Sequence, residues 1–254
     1  MPTVILRPTS DYTSETSTLS KSSGNNYYSL INEEVSDDDS SYIYTDISST
    51  TSISNVAYVV AKWAKKTPIK LTSIKIHLTS KTTSSNSNDS KQGTYQVFLE
   101  GTDIQFNGSP ISDIASDNRV VCGNATLMTD LTSSYTERTK VLSLAGMYAK
   151  NGSDQITPTE LIVNNFSLGT TYFVIRVSLS GQKKSSKNDS FQNRITQVYL
   201  EVTYEDVEAT TGFYLKQNGA YAEAQALYQK VNGVWVACDK TAFNTTTKYK
   251  HIKT

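Results

Sequence analysis

The sequence predicts an all-β chain: an antiparallel, jelly-roll-like β-sandwich over residues 1–207, then a small tandem β-hairpin module over residues 208–254. Three observations predict it. Ser and Thr make up roughly a quarter of the 254 residues, far above ordinary globular usage, and the 16 tyrosines outnumber Phe and Trp combined. Thr and Tyr suit a pleated sheet with one wet face, whereas Ser and Asn suit turns. Runs of apolar/polar alternation recur between polar clusters, with almost no helical period. Near the C-terminus, the stretch YLKQNGAYAEA (Tyr214 to Ala224) is echoed by YQKVNGVWVAC (Tyr228 to Cys238).

Taken in order, TVILRP (Thr3 to Pro8) reads as a short strand that Pro8 ends or confines to a sheet edge. A polar stretch with turn chemistry at Gly24-Asn25-Asn26 follows. From Ser41 to Ile47 the chain alternates, with Tyr42, Tyr44 and Asp46 on one side and Ile43, Thr45 and Ile47 on the other. Further strands are predicted at Asn55 to Ala64, Leu71 to Ser80, Thr94 to Gly101, Thr139 to Gly146, Thr171 to Gly181 and Ile195 to Glu205. Ile74, Ile76 and Leu78 alternate with Lys75 and His77, and Val198, Leu200 and Val202 alternate with Tyr199 and Glu201. Such alternation places one face in the core and the other in water. The separators KTTSSNSNDSKQG (Lys81 to Gly93) and QKKSSKNDSFQN (Gln182 to Asn193) read as mobile hairpin loops of similar chemistry. Room for a short helix exists only within Ser112 to Ala125 and Asn124 to Glu137. EDVEATTG (Glu205 to Gly212) has the character of a linker that closes the sandwich.

The repeated unit reads as a β-hairpin, because Asn-Gly between β-prone flanks favours a type I′ turn. A two-residue loop at Asn232-Gly233 sets Val231 against Val234, Lys230 against Trp235, Gln229 against Val236 and Tyr228 against Ala237. In the first copy Lys216 opposes Tyr221, with Tyr214 diagonal to it. Each hairpin thus sets a lysine across from a ring, where cross-strand packing and a cation–π contact can each add about 0.2–1 kcal/mol. A lone hairpin is marginal in water. The rings therefore either hold a small appendage together or form a contact face, and Tyr214, Lys216, Tyr221, Tyr228, Lys230 and Trp235 are the candidate binding residues.

Composition narrows the function classes. With 24 basic and 24 acidic residues, no excess charge draws the chain to nucleic acid or to an anionic membrane. No stretch has the length of a membrane span, and the N-terminus lacks the pattern of a secretion signal. Cys122 and Cys238 read as free thiols of a protein made in a reducing cytosol. His77 and His251 are the only histidines, and neither has metal-ligand spacing to a Cys, His or carboxylate. No nucleophile elbow and no glycine-rich phosphate loop is present. The run NEEVSDDDSS, carrying Glu33, Glu34, Asp37, Asp38 and Asp39, reads either as a solvated turn or as a Ca²⁺ loop, without EF-hand spacing. No cofactor is expected.

The two ends resemble a known group. VILRPTSD, about twenty polar residues, then YYSLINEEVSDDDSSYIY resembles the start of β-sandwich proteins of tailed bacteriophages of Gram-positive hosts. The terminal YQKVNGVWV resembles small hairpin units near the C-termini of phage tail and other virion proteins. The resemblance implies a non-enzymatic virion surface protein, either a tail- or baseplate-associated fibre or a capsid decoration or head fibre. It implies homo-oligomers that contact other virion proteins, assembled in the host cytoplasm. A second class of function competes with it: a carbohydrate-binding module that recognises host-surface glycan through Trp63, Trp235 or tyrosine platforms, although the run VAYVVAKWA suggests that Trp63 lies in the core. An enzyme such as a depolymerase is a third.

Overall fold

A computed structural model describes residues 1–32, 40–129, 131–166 and 170–207 in full, together with the backbone of four short strands beyond them. The first half of the larger unit carries β1 (Thr3–Leu6), β2 (Pro8–Asp11), β3 (Ser20–Lys21), β4 (Ile43–Ile47), β5 (Ile53–Ala61), β6 (Ile69–Thr82), β7 (Ser90–Gly101), β8 (Ile104–Phe106) and β9 (Ser109–Pro110). The second half carries β10 (Arg119–Val121), β11 (Thr126–Met128), β12 (Thr136–Ser143), β13 (Tyr148–Asn151), β14 (Asp154–Ile156), β15 (Leu161–Val163), β16 (Thr171–Gln182) and β17 (Phe191–Asp206). All pairings are antiparallel. Where a helix had room, the described residues of 112–137 instead form β10, β11, the start of β12 and the end of a 3-10 turn at Ile111–Asp113.

Two sheets result. The first runs β3-β4-β17-β6-β15-β8-β9, with β1 also on β17 and β12 also on β6; the second runs β14-β13-β10-β7-β16-β5-β2, with β11 on β7. Take β4, β5, β6, β7, β10, β15, β16 and β17 as strands one to eight. Their order is then 1-8-3-6 in the first sheet and 2-7-4-5 in the second, which is the jelly-roll arrangement of two interleaved Greek keys. Apart from β7 and β10, which share the second sheet, successive strands of the eight therefore alternate between sheets, and the separators at residues 83–89 and 183–190 are arches across the sandwich. Neither is a hairpin loop, because β6 and β17 lie in one sheet and β7 and β16 in the other.

Alternation in the long strands explains the core. Ile74, Ile76 and Leu78 of β6, and Val198, Leu200 and Val202 of β17, are each at most 1% exposed and face Val97, Leu99, Phe173, Ile175, Val177 and Leu179 of the other sheet. Burying each such side chain contributes about 1.5–3 kcal/mol before the entropy of ordering it. The register of β17 on β6 shifts between Ile195 and Gln197 and again between Thr203 and Tyr204, and bulges of this kind increase the local twist of a long strand. At Arg7 the chain changes sheets: β1 pairs with β17, and β2 pairs with β5. Pro8, without an amide donor, opens β2 at the sheet's edge.

The core ends in a polar layer beneath the two arches. Thr82, Asn193 and Thr45 stand side by side in the first sheet. Asn55 donates to Thr45 Oγ1 at 2.8 Å, and Asn193 donates to the Ser180 carbonyl at 2.9 Å, so side chains tie the sheets together here.

The chain divides into two compact units, Met1–Val207 and Glu208–Thr254. In the second, β18 (Tyr214–Gln217) pairs with β19 (Ala220–Glu223), and β20 (Tyr228–Val231) pairs with β21 (Val234–Ala237). The acidic run Glu33 to Asp39, the turns Asn218-Gly219 and Asn232-Gly233, Cys238 and His251 lie outside the described residues.

Candidate functional site

On the outer face of the first sheet, His77 of β6 sits opposite Tyr199 of β17 and Thr139 of β12. Its ring stacks on Tyr199 at 4.3 Å with the planes 7° apart, and Arg7 lies over the Tyr199 ring at 5.0 Å from its centroid. Nδ1 meets Glu137 Oε1 at 2.5 Å and Nε2 meets Glu201 Oε2 at 3.0 Å. Lys75 donates to the same Glu201 oxygen at 3.2 Å, and the Tyr199 hydroxyl donates to Glu137 Oε1 at 3.2 Å. Both ring nitrogens of His77 thus face a carboxylate oxygen. The His77 hydrogen bond, and then Lys75, hold Glu201 below its ordinary range. Burial, with Glu137 nearby, pushes the Tyr199 hydroxyl up.

This arrangement binds charge and strands together, and it leaves neither ring nitrogen open to take a proton from a nucleophile or a water. A general base needs such an opening. The alternation places His77 on the wet side of its strand, yet the ring is 7% exposed because Tyr199 and the two glutamates cover it. Glu137 is 60 positions away and Glu201 is 124 away. Only the strand pairing brings them together. No grouping of His, Cys, Asp and Glu among the described residues is arranged to hold a metal ion.

The outer face of the second sheet carries a ring-rich patch. Glu100 of β7 accepts from the Tyr12 hydroxyl at 2.8 and 2.9 Å and from Arg119 Nε and Nη2 at 3.0 and 2.7 Å. Tyr172 donates to Glu100 at 3.4 Å. Tyr12 lies 6.4 Å from both Tyr58 and Tyr172 and covers Val60 and Val174. Burial first, and Glu100 beside it, push the Tyr172 hydroxyl up to about 12. Arg119 lies over Phe98 at 5.0 Å, and Arg176 donates to the Tyr58 hydroxyl at 3.4 Å. Tyr58, Phe98 and Tyr172 stay half-buried, with ring surface towards solvent.

At one end of the sandwich the two arches enclose a cleft of about 320 Å³. Asp89, 6% exposed, fastens one arch to the other. Its Oδ1 accepts from the Lys184 amide at 2.9 Å and Asn188 Nδ2 at 3.0 Å, and its Oδ2 accepts from Ser84 Oγ at 2.8 Å. Burial opposes ionisation of Asp89, but these three donors outweigh it and hold the carboxyl below the usual range. Lys183, 8% exposed, donates to the Asn188 carbonyl at 3.0 Å, and Lys91 donates to the Asn86 carbonyl at 2.9 Å. Phe191 walls the cleft.

For the candidate residues of the C-terminal unit, the strands pair Lys216 with Tyr221, Tyr214 with Glu223, Lys230 with Trp235 and Tyr228 with Ala237. These partners are those a two-residue turn dictates; the side chains lie outside the described residues. Of the aromatic platforms, Trp63 packs on Phe166 at 5.3 Å and edge-on to Tyr204 at 4.9 Å, against the core. Cys122 is a buried free thiol, which burial pushes up to about 12.

No family pattern matches the sequence, and no characterised protein does. Among solved structures, an aminopeptidase from the marine sediment archaeon Thaumarchaeota archaeon overlaps 59% of the chain at 8% identity, with a TM-score of 0.29. The chain spans 26% of that structure's length, and a likeness this loose carries no argument about activity.

Proposed function

We propose that the chain is a non-enzymatic structural protein of a bacteriophage virion surface, a tail or baseplate fibre or a capsid decoration, serving assembly or host attachment. One observation carries the reading. The segments that resemble phage sandwich proteins supply β1, β2 and β4, one strand or more in each sheet of the jelly roll. The resembling pattern is thus part of the sandwich's framework, and jelly rolls are an architecture that viral capsid proteins use. In this reading the chain forms homo-oligomers, contacts other virion proteins, and uses Tyr214, Lys216, Tyr221, Tyr228, Lys230 and Trp235 as its contact residues. Mass spectrometry of gradient-purified particles tests it. The chain in stoichiometric amounts, reduced several-fold by Trp235→Ala, is the expected result. A chain made during infection yet absent from particles rejects the proposal.

A second reading, recognition of a host-surface glycan, is favoured by the half-buried Tyr58, Phe98 and Tyr172 beside Arg176, since sugars pack their apolar faces on rings. Trp63, packed on the core, is not one of its platforms.

A further inference from the structure

The two arches differ from ordinary sandwich loops in one respect: a buried carboxylate has been used up in holding them. Both oxygens of Asp89 are engaged by the Lys184 amide, Asn188 and Ser84. The cleft walls are therefore fixed to each other before any ligand arrives, which is the preorganisation a binding site needs. Its volume, about 320 Å³, lies at the small end of ligand pockets, which run from about 300 to 1,000 Å³. That is room for a single sugar ring and not for a chain of them.

The lining decides the ligand class. Ser85, Lys187, Asp189 and Ser190 border the cleft, are exposed, and have side chains without a protein partner among the described residues. A divalent cation needs several carboxylate or carbonyl oxygens; Asp89 is occupied by donors, which leaves the one carboxylate of Asp189. An anion would find Lys187 but would also meet Asp189 two positions away. The charges that remain cancel, while hydroxyl-, ammonium- and carboxylate-bearing residues border one small volume. Vicinal hydroxyls, each both donor and acceptor, match that set. The apolar lining expected for a hydrophobic ligand is confined to Phe191, itself 4% exposed.

We propose that this cleft binds one neutral, hydroxyl-rich ring, a terminal pyranose of a glycan, with Asp189 accepting from a vicinal diol and Lys187, Ser85 and Ser190 contacting the remaining hydroxyls. The ligand class rests on the glycan reading above; the virion reading is not needed for it. The cleft is also distinct from the ring-rich face of the second sheet, because it lies between the arches that join the sheets.

The test is amide-resolved NMR titration of the full chain with methyl glycosides of glucose, galactose, N-acetylglucosamine, N-acetylgalactosamine and rhamnose, with CaCl₂ and sodium phosphate as separate arms. The expected result is saturable shifts at residues 83–90 and 185–191 with at least one glycoside. Asp189→Ala should weaken that binding about tenfold, the loss of a charged hydrogen bond, and leave the other amides unmoved. Shifts centred on Tyr58 and Tyr172 would uphold the glycan reading and overturn the cleft. No response to any glycoside, or saturation of the cleft by Ca²⁺ or phosphate alone, would overturn both the site and its ligand class.

Discussion

Two carboxylates stand out at the residue scale, each held ionised by its neighbours. Glu201 sits below its ordinary value of 4.5 through His77 and Lys75. Asp89 sits below 3.8 because its donors outweigh burial. A carboxylate depressed in the folded state contributes stability that is complete above its unfolded value and is lost as pH falls through the folded one. Chemical denaturation between pH 6 and 2 should therefore show a flat midpoint at the upper end. The decline should begin near 4.5 and steepen below 3.8, and Asp89→Asn should flatten that acid limb. A midpoint that rises on acidification would contradict the assignment. Gly101 presents a different constraint. Its φ is +147°, and an added Cβ would run into the Thr170 carbonyl and come within 2.5 Å of Thr171 Cα. Both atoms are backbone, so neither can move aside cheaply. Gly101→Ala should cost about 3 kcal/mol or more, lowering Tm by roughly 6–12 °C. A calorimetric shift under 2 °C would show that the backbone relaxes there.

Among the strands of eight or more residues, β12 is the one whose attachment is least apolar. Of its eight residues only Leu142 is buried, and its partner along the chain of pairings is β6 alone. The link from Glu137 to His77 and on to Glu201 joins β12, β6 and β17 across the outer face. Glu137→Gln keeps an acceptor and removes the charge. For a half-exposed hydrogen bond worth about 0.6–1 kcal/mol, amide exchange in β12 should speed roughly three- to fivefold, with β5 in the opposite sheet unchanged. Equal acceleration in both, or none in β12, would show that the clamp does not hold the strand. What the sequence made legible also divides by element. Ile74, Ile76 and Leu78 mark their strand by alternation alone, as do Val198, Leu200 and Val202, and the Asn-Gly pairs dictate the partners in both hairpins. Strands of three residues such as β8, β10 and β15 are too short to show a period. The separators look like hairpin loops because polarity reports only that a chain turns, and says nothing of whether it returns to the same sheet.

For the whole molecule, the same limit hides the sites. His77, Glu137 and Glu201 meet on one face, and Asp89 meets Lys184 and Asn188 across the arches, only once the jelly-roll order is in place. The composition foretells a wet, ring-rich sheet surface, but it cannot place Tyr12 over Val60 and Val174. That order also sets a timetable. In the first sheet β17 lies between β4 and β6 and carries β1 on the same side as β4, so three strands from the early part of the chain share the last-made one as their common partner. During synthesis, which runs from the N-terminus, those strands lack their shared neighbour until residue 206 has left the ribosome. The sandwich can therefore close only once β17 is made, and Glu208–Thr254 is translated after that.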